Sequence, residues 1–256
     1  MNHIPISVFV ITLNEEQHLE EMLRSVKGFD EIVLVDSGST DETLSIAKHY
    51  GAKITHQSWL GFANQKAFAM SLCKNQWVLN LDGDEVLPPE LADSIQAAVN
   101  QQKADAFRLC FEDMFWGQPM SPRSAKRSIV RLYNKDKITF PKDRLVHENV
   151  KLQKGAKERS VAGHVTHYGY NSCALLITKQ NLYSSLKAQE KFNKGKKPSV
   201  LKLLIIFPLI FIKSYFLRKM FFSGRRGLVY ATIEAVYGFL KEAKLHELYY
   251  REKFKH

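Results

Sequence analysis

The sequence predicts an α/β fold: a mostly parallel sheet flanked by helices, followed by a helical extension at the carboxyl end. Three observations carry this. Over the first 103 residues, short apolar runs of strand length alternate with segments of helical period. Three of those runs stop at polar or acidic groups: Thr12-Leu13-Asn14-Glu15, Asp36 and Asp82-Gly83-Asp84. From residue 171 onward the pattern is helical, basic and in places strongly apolar. Strands alternating with helices imply right-handed crossovers and a parallel sheet, with ligands bound beyond the carboxyl ends of its strands.

Taken in order, Ile4–Leu13 reads as a strand. It lacks the basic flank and small-residue cleavage site of a signal peptide and runs straight into Asn14-Glu15-Glu16. Asn14 is the expected N-cap of a helix carrying Leu19, Met22, Leu23 and Val26 on one face and ending at Gly28. Glu31–Val35 is a second strand, ending at Asp36; Ser39 with Glu42 suggests a capping box for a helix through Tyr50. Ala52–His56 is a third strand, and a helix is expected over Phe62–Leu72. Gln76–Glu85 (QWVLNLDGDE) opens as a doubly buried strand and stops at three carboxylates. Clustered carboxylates repel and are rarely buried unless paired or bound to metal. A tight turn at Gly83 would let two of them converge on a hard cation, Mg²⁺ or Mn²⁺, beside substrate phosphates. Pro88-Pro89 then starts a helix with Leu91, Ile95, Ala98 and Val99 on one face.

The middle segment reads differently. Phe107, Leu109 and Phe111 alternate with Arg108, Cys110 and Glu112 as a half-exposed strand. Phe115–Pro122 reads as an irregular aromatic loop, suited to an acceptor wall or to core filling. Ser128–Tyr133 is another strand, with Arg127 and Arg131 available to an anionic substrate. His164 and His167, three apart on a strand, face opposite ways, which argues against a shared zinc. A helix capped by Ser172 runs to about Asn193, and a basic loop, Lys194–Pro198, breaks it.

Charge is uneven. Residues 1–150 hold 16 Lys+Arg and 20 Asp+Glu, a net of 16 − 20 = −4; residues 151–256 hold 21 and 6, a net of 21 − 6 = +15. Such asymmetry points to a polyanionic partner. The apolar stretch Val200–Phe222 contains a charge-free core, Leu203–Ile212, between Lys202 and Lys213. As a helix that core covers about 15 Å, half of the roughly 30 Å of a bilayer interior, and Pro208 interrupts it. An interfacial helix is expected rather than a span, with Lys202, Lys213, Arg218 and Lys219 near an anionic membrane surface. No nucleic acid is expected as partner, because the basic residues sit among aliphatic runs rather than beside stacking aromatics. Three cysteines, far apart and without a CxxC pair, argue against a disulfide framework or structural zinc site and fit a reducing compartment. Neither GxGxxG nor GxxxxGK[ST] follows the first strand.

The stretches ITLNEE (Ile11–Glu16), VLVDSGSTDET (Val33–Thr43) and LNLDGDE (Leu79–Glu85) resemble, in order and spacing, the inverting glycosyltransferases of family 2. Val146-His147-Glu148 and the tail Phe221–Leu245 are similar to the lipopolysaccharide-core β-glucosyltransferase subgroup of that family. The resemblance implies a GT-A, nucleotide-diphospho-sugar transferase fold. It implies that Thr12, Asn14, Glu15 and Asp36 meet the nucleotide of a UDP-sugar, with Lys66 nearby. It implies that Asp82 lies by the sugar-nucleotide and that Asp84 binds the divalent metal, with Asp82 and His167 as further ligands. Inverting transfer needs one base to deprotonate the acceptor hydroxyl. Glu148 is preferred for this, with Asp113 and Glu112 as rivals.

On this reading residues 1–170 form the transferase domain, 1–103 its nucleotide-sugar half and 104–170 its acceptor half, and 171–256 a basic helical extension that associates with the membrane. The resemblance implies transfer of a hexose, glucose by the subgroup, from UDP-sugar to an inner-core heptose of lipopolysaccharide. The expected site of action is cytoplasmic, peripheral on the inner face of the bacterial inner membrane. A polyprenyl phosphate or a capsule precursor is the alternative lipid-linked or glycan acceptor. A binding protein without catalysis is the reading from another class.

Overall fold

The computed structural model describes residues 4–141, 149–170 and 172–254. It divides into two compact units, residues 1–112 with 126–168, and residues 113–125 with 169–256.

The first unit is built on β1 (Ile6–Thr12), β2 (Glu31–Asp36), β3 (Lys53–His56) and β4 (Trp77–Asn80), with α1 (Glu16–Ser25), α2 (Thr43–His49) and α3 (Phe62–Ser71) between them. Next come β5 (Glu85–Val86), α4 (Pro89–Asn100) and β6 (Ala106–Phe115). The strands β7 (Gln118–Pro119), β8 (Arg127–Asn134), β9 (Ile138–Thr139), β10 (Lys151–Leu152) and β11 (Glu158–Tyr170) complete the set. The main sheet runs β3-β2-β1-β4-β8-β6-β11-β5, with β7 paired to β6. β3, β2, β1 and β4 are mutually parallel; β8 joins β4 antiparallel, and β5 pairs antiparallel with β11. The sheet is therefore mixed. The alternating strand–helix region is parallel, because crossover helices permit that direction and direct hairpins do not.

Period-2 alternation sorts the side chains onto two faces. Val8, Val10, Leu34 and Leu79 join a core with Leu19, Met22, Leu23, Leu91, Ile95 and Val99 of α1 and α4. Phe9, Val33, Val35 and Val78 join one with Ala69 of α3 and Cys73. Burying each large side chain stabilises the unit by about 1.5–3 kcal/mol. The parallel pairing of β1 with β2 and β4 puts their carboxyl ends on one edge, and the buried faces hold the register.

Several local expectations are corrected. Asn14 is not an N-cap: it adopts φ 55°, Glu15 holds the cap position, and α1 ends at Ser25, before Gly28. Ser39 forms no capping box: its hydroxyl donates to Asp36 and accepts from the Asn14 N–H, and α2 starts only at Thr43. Phe115–Pro122 is not an irregular loop. Phe115 pairs with Gln118 across a two-residue turn in which Trp116 (φ 54°) and Gly117 (φ 70°) are both left-handed, the geometry a hairpin prefers.

The second unit holds that hairpin with α5 (Cys173–Asn193), α6 (Val200–Ile212) and α7 (Gly224–Lys253). Ser172 caps α5 by accepting from the Leu175 N–H (3.1 Å), as expected. Its core packs Phe115, Met120, Leu176, Met220, Tyr230 and Ile233 together. Phe115 is thus core filling. Segment 113–125, read from sequence as part of the acceptor half, belongs to this unit. Arg226 donates from Nη1 to the carbonyls of Phe115, Gln118 and Pro119 (2.9–3.2 Å), tying the hairpin to α7.

Candidate active site

The loops after β1 and β2 are stitched together by the residues that make up their motifs. The Asn14 N–H donates to Ser39 Oγ (2.9 Å), and the Thr40 N–H donates to Asn14 Oδ1 (2.9 Å). The Glu15 N–H donates to Thr43 Oγ1 (2.8 Å), the Glu16 N–H to Asp41 Oδ2 (3.2 Å), and the Glu42 N–H to Glu16 Oε2 (3.0 Å). Polar side chains thus satisfy backbone groups that strand and helix ends leave open.

Asp36 is the centre of this lattice and is buried. Its Oδ2 accepts from the N–H groups of Gly38 (2.7 Å) and Ser39 (2.9 Å), and its Oδ1 from the hydroxyls of Ser39 and Thr12. Burial alone would raise its pKa, but these bonds, led by those from Ser39, hold the carboxyl below its ordinary value. Four bonds fill the acceptor sites of a carboxylate. Asp36 therefore shapes the 37–39 loop, and any nucleotide contact it makes competes with these bonds.

The β4–β5 turn carries the acids. The Asp82 N–H donates to Glu85 Oε2 (3.0 Å) while the Glu85 N–H donates to the Asp82 carbonyl (3.1 Å), a reciprocal pair that closes the turn. Gly83 is not in the left-handed region, so a special turn conformation is not what makes it glycine. A Cβ there would lie 3.2 Å from Cβ and Cγ of Glu15. The absent side chain is what lets the acidic turn settle against the β1 loop.

Two cations, Lys66 and Arg131, meet Asp82 and Glu85, and a third, Arg127, stands against His167. Lys66, buried on α3, places Nζ 3.0 Å from Asp82 Oδ1. Arg131, buried on β8, donates from Nη2 to Asp82 Oδ2 (2.8 Å) and to Glu85 Oε1 (2.6 Å). Arg127 Nη2 lies 3.1 Å from His167 Nδ1. The Arg127 and Arg131 guanidinium carbons both sit over the Phe111 ring, at 5.0 and 5.5 Å. Burial would raise the Asp82 carboxyl, yet Arg131 and then Lys66 hold it well below the usual carboxylate range. At Glu85 burial wins: the carboxyl is pushed up, against Arg131 and with help from the Asp82 charge. Arg131, expected to face an anionic substrate, is instead the shared counter-ion of two carboxylates.

Asp84 and His167 stand side by side, Oδ2 to Nε2 at 3.8 Å, both nine-tenths buried. β5 pairs with β11 in a register that sets Glu85 opposite His167, and the Tyr168 N–H donates to the Asp84 carbonyl (3.0 Å), fixing the strand against the acidic turn. His164 on the same strand is exposed, so the two histidines do face opposite ways. Among the described residues no three His, Cys, Asp or Glu side chains form a metal-holding group. A hard cation that takes one or two carboxylates, with phosphate and water completing its shell, needs no such group. Asp84 fits that donor set; Asp82 is already held by Lys66 and Arg131. His167 fits poorly. Arginine only donates, so a neutral His167 ring accepts at Nδ1 and keeps its proton on Nε2, the atom facing Asp84. A ligating histidine has the reverse arrangement, with its second nitrogen donating to an acceptor.

Of the candidate bases, Glu148 lies outside the described residues. Glu112 is ion-paired with Lys126 at 2.6 Å, and Asp113 belongs to the second unit. Sequence reasoning placed Glu85 in the acidic cluster and Arg131 near an anionic substrate but missed their pairing with each other, and it missed Phe111 beneath both arginines. The available signal was a charged residue between Val130 and Leu132 in a strand apolar on both sides, which demands a buried partner.

A family model described as "Glycosyl transferase family 2" matches residues 7–154. An uncharacterized glycosyltransferase of Rickettsia typhi is 39% identical over 254 residues, covering 95% of this chain and 87% of its own. The lipopolysaccharide core biosynthesis glycosyltransferase LpsC of Rhizobium meliloti is 31% identical over 251 residues, covering 95% and 93%. The crystal structure of S. aureus TarS 1-349 in complex with UDP-GlcNAc superposes with a TM-score of 0.50 at 14% identity, over 98% of this chain and 92% of that one, a likeness of fold.

Proposed function

The chain belongs to glycosyl transferase family 2, and from that membership we propose that it moves a hexose, with inversion, from a UDP-sugar to an inner-core heptose of lipopolysaccharide. The single observation that carries the donor half is the gathering of Thr12, Asn14, Glu15, Asp36, Asp82 and Asp84 on the carboxyl edge of parallel strands, with Lys66 and Arg131 balancing the acids. The acceptor half rests on the relative named for lipopolysaccharide core biosynthesis, which is similar over nearly the whole chain.

Charge supports this reading. Lys66 and Arg131 are already engaged by Asp82 and Glu85, while Glu15 and Asp36 add further carboxylates to the same edge. A dianionic diphosphate arriving with a dication adds no net charge to that edge, whereas the diphosphate alone adds two negative charges beside its carboxylates. Asp84 would hold Mg²⁺ or Mn²⁺, which when bound supplies Lewis-acid stabilisation of the departing diphosphate. Asp82, its oxygens oriented by Lys66 and Arg131, accepts hydrogen bonds from the donor. Lys66 adds positive charge where the leaving group gains negative charge. Glu148 takes the proton from the acceptor hydroxyl, with Asp113 the alternative; Glu112 is less suited, because Lys126 already engages it.

The test is a donor and acceptor screen with purified protein, Mg²⁺ or Mn²⁺, a panel of nucleotide sugars, and heptose-terminated core lipid, polyprenyl phosphate and a capsule precursor as acceptors. The expected result is transfer from a UDP-hexose to the heptose with inverted anomeric configuration, lost in Asp84→Ala and in Glu148→Gln with the circular dichroism spectrum unchanged. Transfer from no UDP-sugar would overturn the donor assignment. Transfer to polyprenyl phosphate alone would overturn the acceptor.

A further inference from the structure

The helix α6 is held along one side only. Leu203, Ile206 and Ile210 turn inward, and the latter two pack on α7 where Gly238 leaves room: a Cβ at 238 would sit 2.0 Å from Ile210 Cδ1. At the amino end the buried Glu242 carboxylate binds Lys202 Nζ (3.1 Å), Lys191 Nζ (3.1 Å) and the Ser199 N–H (3.3 Å). Lys202 is therefore part of the anchor rather than a group reserved for lipid, and Arg218 lies 3.8 Å from Glu234. Pro208 does not break the helix, which continues through it to Ile212 and on in a π-turn to Leu217.

Everything on the other side is apolar and bare. Over Val200–Leu217 only 6% of the residues are buried, and the mean hydropathy is 2.1. Leu201, Leu204, Leu209, Ile212, Phe216 and Leu217 are each about half exposed or more. Both ends carry exposed cations: Lys196 and Lys197 before the helix, and Lys213, Lys219 and Arg225 from its end onward. Between Glu190 and Glu234 there are ten Lys and Arg and no acidic residue. An apolar face bracketed by cations, in a run of more than forty residues without an acid, is complementary to an anionic amphiphile and to little else.

We propose that α6 and the turn after it lie flat in the headgroup boundary of an anionic bilayer and hold this chain there as a peripheral protein. The flat orientation follows from the lysines. The segment is about 27 Å long by count, near a bilayer interior's roughly 30 Å. However, Lys202 and Lys213 leave only ten residues free of charge, so a crossing would bury an ammonium and the Glu242 anchor beside it. Lying in the plane puts both basic ends at headgroup level at once. The inference is independent of the donor and acceptor chemistry.

The experiment is flotation of the full chain with vesicles of phosphatidylethanolamine, with and without phosphatidylglycerol, across a salt series. The wild type is expected to float with the anionic vesicles and to be released by salt or carbonate. Leu204→Glu with Leu209→Glu changes two exposed residues, so its melting temperature and its donor hydrolysis are expected to stay as in wild type. Its partitioning is expected to fall about tenfold or more. Lys196→Glu with Lys213→Glu is expected to abolish the preference for anionic vesicles and the salt dependence with it. The inference is overturned if the wild type stays in the aqueous layer, if either variant floats like wild type, or if the two vesicle types bind alike. Release by detergent alone, as for a span, or a dimer that dissociates in the Leu204→Glu/Leu209→Glu variant without any flotation, would overturn it too.

Discussion

Replacing Arg131 with Met removes the guanidinium that Glu85 and Asp82 share. Asp82 keeps Lys66 at 3.0 Å, but Glu85, 1% exposed and already pushed up by burial, loses its principal counter-ion. A stranded buried carboxylate escapes by taking a proton, and the cost of that sets a ceiling on the damage. From an unfolded pKa near 4.3, protonation at pH 7 costs about 3.7 kcal/mol, at 1.36 kcal/mol per pH unit; at pH 5 it costs about 1 kcal/mol. The direction follows from linkage: a carboxyl whose folded pKa is raised keeps its contribution below the unfolded pKa and loses it as pH rises through the folded one. The Arg131→Met deficit is therefore expected to be large at pH 7 and mostly gone at pH 5. For a chain of about this size, that is a drop in melting temperature of roughly 7–15 °C against 2–4 °C. Thermal melts followed by circular dichroism at both pH values read this directly, and Arg131→Met/Glu85→Gln should recover most of the loss at pH 7. An equal deficit at the two pH values, or a double variant no more stable than the single one, would show that Glu85 is not the charge Arg131 neutralises.

Three further outcomes are expected. Gly83→Ala places a Cβ 3.2 Å from Glu15 and displaces the acidic turn; KM for the donor is expected to rise several-fold while the melting temperature moves by a few degrees at most, which steady-state kinetics and a melt separate. Burial lifts the Cys73 thiol to about 12, so iodoacetamide at pH 8 is expected to leave Cys73 unmodified in the folded chain and to label it after denaturation, as peptide mass spectrometry will show. Glu242→Gln removes the charge that holds Lys191, Lys202 and the start of α6, an expected loss of about 2 kcal/mol with faster proteolysis at 194–199. Burial would raise Glu242, but Lys191 and Lys202 hold it below its ordinary value, so the wild-type contribution is present at neutral pH and lost as pH falls through that depressed pKa. The difference between wild type and variant should accordingly shrink in acid.

Much of the first unit was legible because its signals are local. An apolar run ended by Asp36, or by the acids of the β4–β5 turn, states both a strand and its polar edge within ten residues. Where sequence reasoning went astray, a residue had more than one partner to choose from. Ser39 suits a helix cap equally well, but its hydroxyl donates to the buried Asp36 carboxylate and accepts from the Asn14 N–H instead of from a helix N–H. Trp116 carries no hairpin signal of the Asn-Gly kind; the pairing of Met114 with Pro119 forces it into the left-handed region. Gly83 reads as a turn residue in one dimension and as a contact surface for Glu15 in three.

The sequence by itself determined the family, the strand–helix alternation and the set of acids at the sheet edge, because strand periodicity and the clustering of like charges are properties of neighbours along the chain. Only the tertiary structure decided which cations answer those acids. Lys66, Arg127 and Arg131 come from α3 and β8, and nothing in their local spacing says that one will reach Asp82, another both Asp82 and Glu85, and the third His167. Partner choice for a buried charge depends on which elements the packing of two apolar faces brings to the same edge, and that is settled only when the sheet forms.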